Sequence, residues 1–121
     1  MSIDIIIADD HAILRSGIRK VLEFEDDFTV VAEATNGLEA IEKTLELEPD
    51  ILLLDINMPI KNGFETVTEL VNKKIDTKII ILTINNDENY VLEMLKNGAS
   101  GYLLKDIEPS MLIKAIRKIH Q

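Results

Sequence analysis

The sequence predicts an α/β domain: a doubly wound (βα)5 fold with a five-stranded parallel sheet covered by helices on both faces. Three observations lead there. Five short runs rich in Ile, Leu and Val are apolar throughout rather than alternating, the pattern of strands buried on both faces. Helix-length stretches with a 3.6-residue apolar period separate them. Polar and charged residues of complementary chemistry follow the runs at their carboxyl ends, where doubly wound sheets bind ligands.

The five runs are Ile3–Ala8, Thr29–Ala32, Ile51–Leu54, Ile79–Leu82 and Gly101–Leu104. Leu14, Ile18, Val21 and Leu22 give the first helix its apolar face, and Leu38, Ile41 and Leu45 the second. Phe64, Val67, Leu70 and Val71 line the third. Val91, Met94 and Leu95 mark the fourth, which Gly98 is placed to stop. The fifth carries Leu112, Ile116 and Ile119, with Pro109 near its start. Pro49 closes the gap between the second helix and the third strand. No repeat, low-complexity tract or linker divides the chain, so residues 1–121 read as one domain.

Composition narrows the function. With 46% hydrophobic residues the chain can bury a core and is not a disordered acidic tail. Its 22 acidic residues against 13 basic give a net charge of −9, which argues against this segment gripping nucleic acid by itself. The acidity serves solubility, or it gathers carboxylates for a cation. The absence of cysteine excludes a disulfide framework, a thiolate nucleophile and a Cys zinc site. Asp4, Asp9 and Asp10 interrupt the apolar start, against a signal peptide. No apolar run approaches the ~18 residues of a membrane span. The expectation is a cytoplasmic protein with no membrane contact.

The run ends carry the chemistry. The first ends in Asp9-Asp10, and the third in Asp55, followed by Asn57, Met58 and Pro59. The fourth ends in Thr83 and the fifth in Lys105. Each has an ordinary explanation by itself: a helix cap, a strand end, a solvated lysine. His11 reads as a loop residue, with no second histidine to help it bind a metal, and His120 as a terminal surface residue. The coincidence at four strand ends is what argues for a site. Three carboxylates brought together resist ionising, and a hard divalent cation relieves that repulsion. Few protein ligands, with open positions for water and phosphate, suit Mg²⁺, with Mn²⁺ as an alternative, better than a caged Ca²⁺. One carboxylate is then available as a nucleophile towards phosphorus, with Lys105 and Thr83 to hold phosphoryl oxygens.

Four motifs closely resemble, in order and over essentially all 121 residues, the bacterial response-regulator receiver domain. They are Asp9-Asp10-His11, L-L-D-I-N-M-P at Leu53–Pro59, I-L-T at Ile81–Thr83, and N-G-A-S-G-Y-L-L-K-D at Asn97–Asp106. The resemblance implies the chemotaxis-regulator-like, flavodoxin-like three-layer sandwich. It implies that Asp55 accepts a phosphoryl group from a sensor histidine kinase or a small phosphodonor. Asp10 then resembles a direct Mg²⁺ ligand, Asp9 an acid acting on the metal mainly through water, and Asn57 the position whose backbone carbonyl coordinates it. Thr83 resembles the switch hydroxyl, Lys105 the lysine that pairs with the phosphoryl group, and Tyr102 the switch aromatic. Such a domain is a phosphoacceptor in signalling rather than an enzyme, catalysing its own phosphorylation and slow dephosphorylation.

Asp9-Asp10-His11 with Arg15 and Gly17, and the run Gly101–Asp106, resemble the NarL/FixJ (LuxR-type) regulators. Those carry a C-terminal helix-turn-helix DNA-binding domain, which is absent from this chain. The implied partners are a sensor histidine kinase, a second copy on phosphorylation, and DNA through the missing domain, for control of transcription. Two positions depart from the family pattern. Asp106 follows Lys105 where many receivers have a cis proline, a geometry that costs another residue ~3 kcal/mol. Ile84 follows Thr83 where many have a small residue, which narrows access to the phosphoryl site.

Two other classes are less consistent with the residues. A haloacid-dehalogenase-like phosphatase needs a second Asp two residues after its nucleophile; Asn57 stands there and cannot transfer a proton. A flavodoxin-like cofactor module needs a phosphate-cradling loop after the first strand, where Asp9-Asp10 would repel phosphate, and no glycine-rich fingerprint is present.

Overall fold

The computed structural model describes residues 2–83 and 88–121. Its elements run β1 (Ile3–Ala8), α1 (Ala12–Glu23), β2 (Phe28–Ala34), α2 (Gly37–Leu47), β3 (Ile51–Asp55), α3 (Gly63–Asn72), β4 (Lys78–Thr83), α4 (Glu88–Lys96), β5 (Gly101–Leu104) and α5 (Pro109–His120). All strand pairs are parallel, in the order β2-β1-β3-β4-β5. The fold class read from the sequence is the one observed. The strand order reverses between β1 and β3, so the crevice for a ligand opens beyond the carboxyl ends of those two strands.

The unbroken apolar runs follow from the layering. Side chains alternate across a strand, so a strand covered on both faces needs apolar residues at every position. Ile5, Ile7, Ile51, Leu53, Ile80 and Leu82 enter one core with Ile18 and Leu22 of α1 and Leu112 and Ile116 of α5. Ile6, Ala8, Leu52, Leu54, Ile79 and Ile81 enter the other, with residues of α2, α3 and α4. Burial of such side chains contributes roughly 1.5–3 kcal/mol each before the entropy of ordering is subtracted.

β2 breaks the alternation. Its register shifts between Ile5 and Ile6, which pair with Val30 and Ala32, so Val31 is passed over. Phe28 and Val30 therefore join one core while Ala34 joins the other, although all are an even number of residues apart. β2 extends beyond the apolar run Thr29–Ala32 at both ends, starting at Phe28 and continuing through Glu33, whose charge ends the run, to Ala34.

Local signals set the helix ends. The Asn36 side chain accepts from the Glu39 amide at 2.8 Å, and Asn62 and Glu65 form a reciprocal capping box. Pro109 opens α5, where its missing N–H costs nothing. Gly98 ends α4 with φ of +115°, and a Cβ there would come within 2.6 Å of Val71.

One expected face is wrong. Leu38 and Leu45 of α2 are 40% and 39% exposed, while Gly37, Ala40, Ile41 and Thr44 are buried. The buried stripe is centred roughly 100° around the helix from the two leucines, with Ile41 at its border. α2 packs on β1, β2 and α3, and small residues at that contact permit the close approach. Val71 of α3 is likewise partly exposed. Ile84 lies outside the described residues. Among them no peptide bond is cis, that from Lys105 to Asp106 included. No helix among them is long and apolar enough to cross a membrane.

Candidate functional site

Three strand ends converge on one cluster. Asp9 and Asp10 leave β1, Asp55 is the last residue of β3, and Lys105 follows β5. Asp9 and Asp55 are buried at 0% and 1% exposure. The Lys105 side chain is itself largely buried; its Nζ lies 3.0 Å from Asp55 Oδ1 and 3.3 Å from Asp9 Oδ2. The Lys105 amide donates to the Thr83 carbonyl at 2.9 Å, which ties the lysine to the end of β4. The Asn57 amide donates to Asp55 Oδ1 at 3.2 Å.

Burial pushes the Asp55 carboxyl above its ordinary value. Hydrogen bonds from Lys105 and the Asn57 amide work the other way, Asp9 adds repulsion, and the net direction is upward. Among the described residues, Asp55 Oδ2 is buried without a hydrogen-bond partner, while Asp9 Oδ2 makes no hydrogen bond but faces the Lys105 ammonium at 3.3 Å. A buried carboxylate oxygen left without a partner costs on the order of 1–3 kcal/mol, so Asp55 Oδ2 marks a place open to a further ligand. Asp9, Asp10, His11 and Asp55 each offer an atom within 4.8 Å of the others. This donor set, predominantly carboxylate oxygen, fits a divalent cation.

His11 belongs to this cluster, which the sequence reading did not foresee. It caps the start of α1 with extended backbone, and its amide donates to Asp9 Oδ1 at 2.8 Å. Its Nδ1 lies 3.0 Å from Asp9 Oδ1, 3.2 Å from Asp10 Oδ1 and 4.0 Å from Asp55 Oδ2. Its adjacency to Asp9-Asp10 is the sequence signal for this placement, and no second histidine is required for it. His120, by contrast, sits at the opposite edge, 3.8 Å from Asp50.

A second set of residues holds Asp9 from behind. Its amide donates to the Ala34 carbonyl at 3.0 Å, and its carbonyl accepts from Arg15 at 2.6 Å. Arg15 also pairs with Glu33 at 2.7 Å, and Arg19 bonds the same carboxylate. Burial would raise the Glu33 carboxyl, but the bonds from Arg19 and Arg15 outweigh it and hold it below the usual range. Glu33 pairs with Ile7 and faces α1 because of the irregularity at Val31. No sequence pattern marked it. Gly63 is a further residue the sequence reading passed over: a Cβ there would meet Ile56 Cα at 2.8 Å and the Asp55 carbonyl at 3.2 Å.

Thr83 is buried at the same sheet edge, one residue beyond the Leu82 that pairs with Asp55. Tyr102 pairs with Ile81, so it shares a face with Thr83, and it is 41% exposed. Asn57 is exposed.

An α/β sheet with buried paired carboxylates and a lysine at its switch point defines a class that other proteins share. The response regulator receiver domain family matches residues 5–117. The chain is 43% identical over 119 residues to the transcriptional regulatory protein DegU of Brevibacillus brevis, covering 98% of this chain and 50% of that protein. It is 45% identical over 114 residues to the nitrate/nitrite response regulator protein NarL of Escherichia coli strain K12, covering 94% and 53%. The signal receiver domain of a NarL response regulator from Mycobacterium tuberculosis superposes with a TM-score of 0.95 at 28% identity, covering 98% and 96% of the two chains. The chain belongs to the response regulator receiver domain family, and within it is most like the NarL- and LuxR-type receivers. Receivers are signalling domains whose general role is to be phosphorylated by a kinase. The chain spans about half the length of the curated relatives it matches.

Proposed function

We propose that Asp55 is the phosphoacceptor, taking a phosphoryl group from a sensor histidine kinase or a small phosphodonor. The observation that carries this is Asp55 itself: a buried strand-end carboxylate 3.0 Å from Lys105, with one oxygen lacking a hydrogen bond. One carboxylate oxygen attacks phosphorus, the acyl phosphate bond forms, and the bond to the donor's leaving group breaks. Asp9, Asp10, Asp55 and the backbone carbonyl of Asn57 would hold Mg²⁺, or Mn²⁺ in its place; the ion supplies neutralisation of phosphoryl charge. Lys105 offers its ammonium to the phosphoryl oxygens and Thr83 its hydroxyl. Asn57 stands where a hydrolase would need a proton-transferring acid, which favours a persistent acyl phosphate over rapid turnover.

Thr83 moving towards the phosphoryl group, and Tyr102 turning inward from its exposed position, form the switch in this reading. The resulting change of face drives homodimerisation through a surface that includes α5. Residues 1–121 are the receiver, and a C-terminal DNA-binding domain in the whole protein reads the dimer out as transcriptional control in the cytoplasm. Intact-mass measurement with acetyl phosphate and Mg²⁺ tests the acceptor. One phosphoryl group should add to the wild type and none to Asp55→Asn; a full adduct on the variant overturns the assignment.

A further inference from the structure

We propose that His11 adds a nitrogen ligand to the acidic pocket, making it a site for a late first-row divalent cation such as Ni²⁺ or Co²⁺. This rests on the reading of the pocket as a divalent-cation site and specifies which ions it favours. Asp9 and Asp55 each direct one oxygen to Lys105 and keep the other for the opposite side. On that side Asp9 Oδ1, Asp10 Oδ1 and Asp55 Oδ2 surround the imidazole Nδ1 of His11.

The four donor atoms lie within 4.8 Å of one another, close enough to share one ion. Nδ1 lies 3.0 and 3.2 Å from the Asp9 and Asp10 oxygens, the first a hydrogen-bond contact, and 4.0 Å from the Asp55 oxygen. The imidazole nitrogen is thus already turned towards the carboxylates that would hold a cation. Charge agrees: three carboxylates against one ammonium leave two negative charges, which a dication balances. Asp55 Oδ2, buried and without a hydrogen-bond partner, gains one in the ion. An imidazole nitrogen matters little to Mg²⁺, which prefers oxygen, but raises affinity for Ni²⁺ and its neighbours. An ion bound there competes with Mg²⁺ for the same oxygens, so phosphorylation becomes sensitive to late transition metals.

Isothermal titration of metal-free protein with Ni²⁺ and, separately, Mg²⁺ tests this. Every variant carries His120→Gln, which removes the second of the chain's 2 histidines as a competing Ni²⁺ ligand. His11→Asn should weaken Ni²⁺ binding roughly tenfold or more and leave Mg²⁺ within about twofold. Asp10→Asn should weaken both ions. An unchanged Ni²⁺ Kd in His11→Asn, or an equal loss for both ions, overturns the nitrogen ligand. A failure of Asp10→Asn to affect either ion overturns instead the reading of the pocket as a cation site.

Discussion

Ile60 holds the loop between Asp55 and α3 in a conformation its side chain opposes. Its φ is +69°, and the Lys61 amide donates to the Pro59 carbonyl at 2.8 Å, which closes a three-residue turn on Ile60. Turns of this kind with positive φ are strained, and a β-branched residue there is an outlier. Its side chain is 71% exposed, so little burial offsets the cost. The comparison that isolates the backbone is Ile60→Ala against Ile60→Gly, since the two bury almost equal area. Alanine at left-handed φ costs about 1–2 kcal/mol, and glycine's extra freedom in the unfolded chain returns about 0.5–1 kcal/mol of that. Glycine should therefore be the more stable by ~0.5–1 kcal/mol, a rise in Tm of roughly 2–5 °C for a domain of this size. Urea unfolding and calorimetry of both variants give the sign. Alanine more stable than glycine would refute left-handed strain at this position.

Three other outcomes follow from the site and its supports. Arg15→Met removes the bond to the Asp9 carbonyl and one of the two arginines on the Glu33 carboxylate, and should cost roughly 2 kcal/mol in urea unfolding while weakening Mg²⁺ binding. Unchanged stability and affinity would remove Arg15 as a support of the pocket. The raised Asp55 carboxyl favours folding while protonated, a contribution complete below the unfolded value of ~3.9 and lost as pH rises through the higher folded value. In metal-free buffer the advantage of Asp55→Asn over wild type in Tm should therefore grow from acid to neutral pH; a constant or shrinking difference contradicts the burial argument. Beryllofluoride with Mg²⁺ should shift the wild type from monomer to dimer in sedimentation, and Thr83→Ala should blunt the shift. A wild type that stays monomeric at high concentration would end phosphorylation-driven dimerisation of this domain.

Most of the architecture was legible because it rests on contrasts the chain states locally. Parallel strands covered on both faces need unbroken apolar runs, and Ile3–Ala8 and Ile51–Leu54 differ sharply from the amphipathic stretches beside them. Asp9, Asp10, Asp55 and Lys105 were legible as a group because topology alone brings strand ends together. What failed depended on long-range packing. The leucines of α2 advertise a face, yet the small residues Ala40 and Thr44 make the contact, since closeness to the neighbouring elements outweighs side-chain hydrophobicity there. Glu33 was invisible because the irregularity at Val31 decides which way it points, and no residue type announces that. Ile60 gives no hint of positive φ; glycine or asparagine would have.

The site is maintained against its own electrostatics, and this explains how it is coupled to the fold. Asp9 and Asp55 lie buried, Asp55 Oδ2 has no hydrogen-bond partner, and Lys105 answers only part of their charge. Relaxation is blocked on each side. Arg15 and the Ala34 carbonyl pin Asp9 by its backbone, Gly63 brings the start of α3 against the chain leaving Asp55, and the Thr83 carbonyl anchors Lys105. A cluster that cannot spread apart must carry its repulsion as a cost to the metal-free fold. The same cost would make a divalent cation held by these carboxylates a stabilising ligand of the native state alone. At a hundredfold excess over Kd such linkage is worth ~2.7 kcal/mol of folding stability. Replacing the cluster with apolar residues should yield a domain that is more stable without metal and whose Tm no longer responds to a divalent cation.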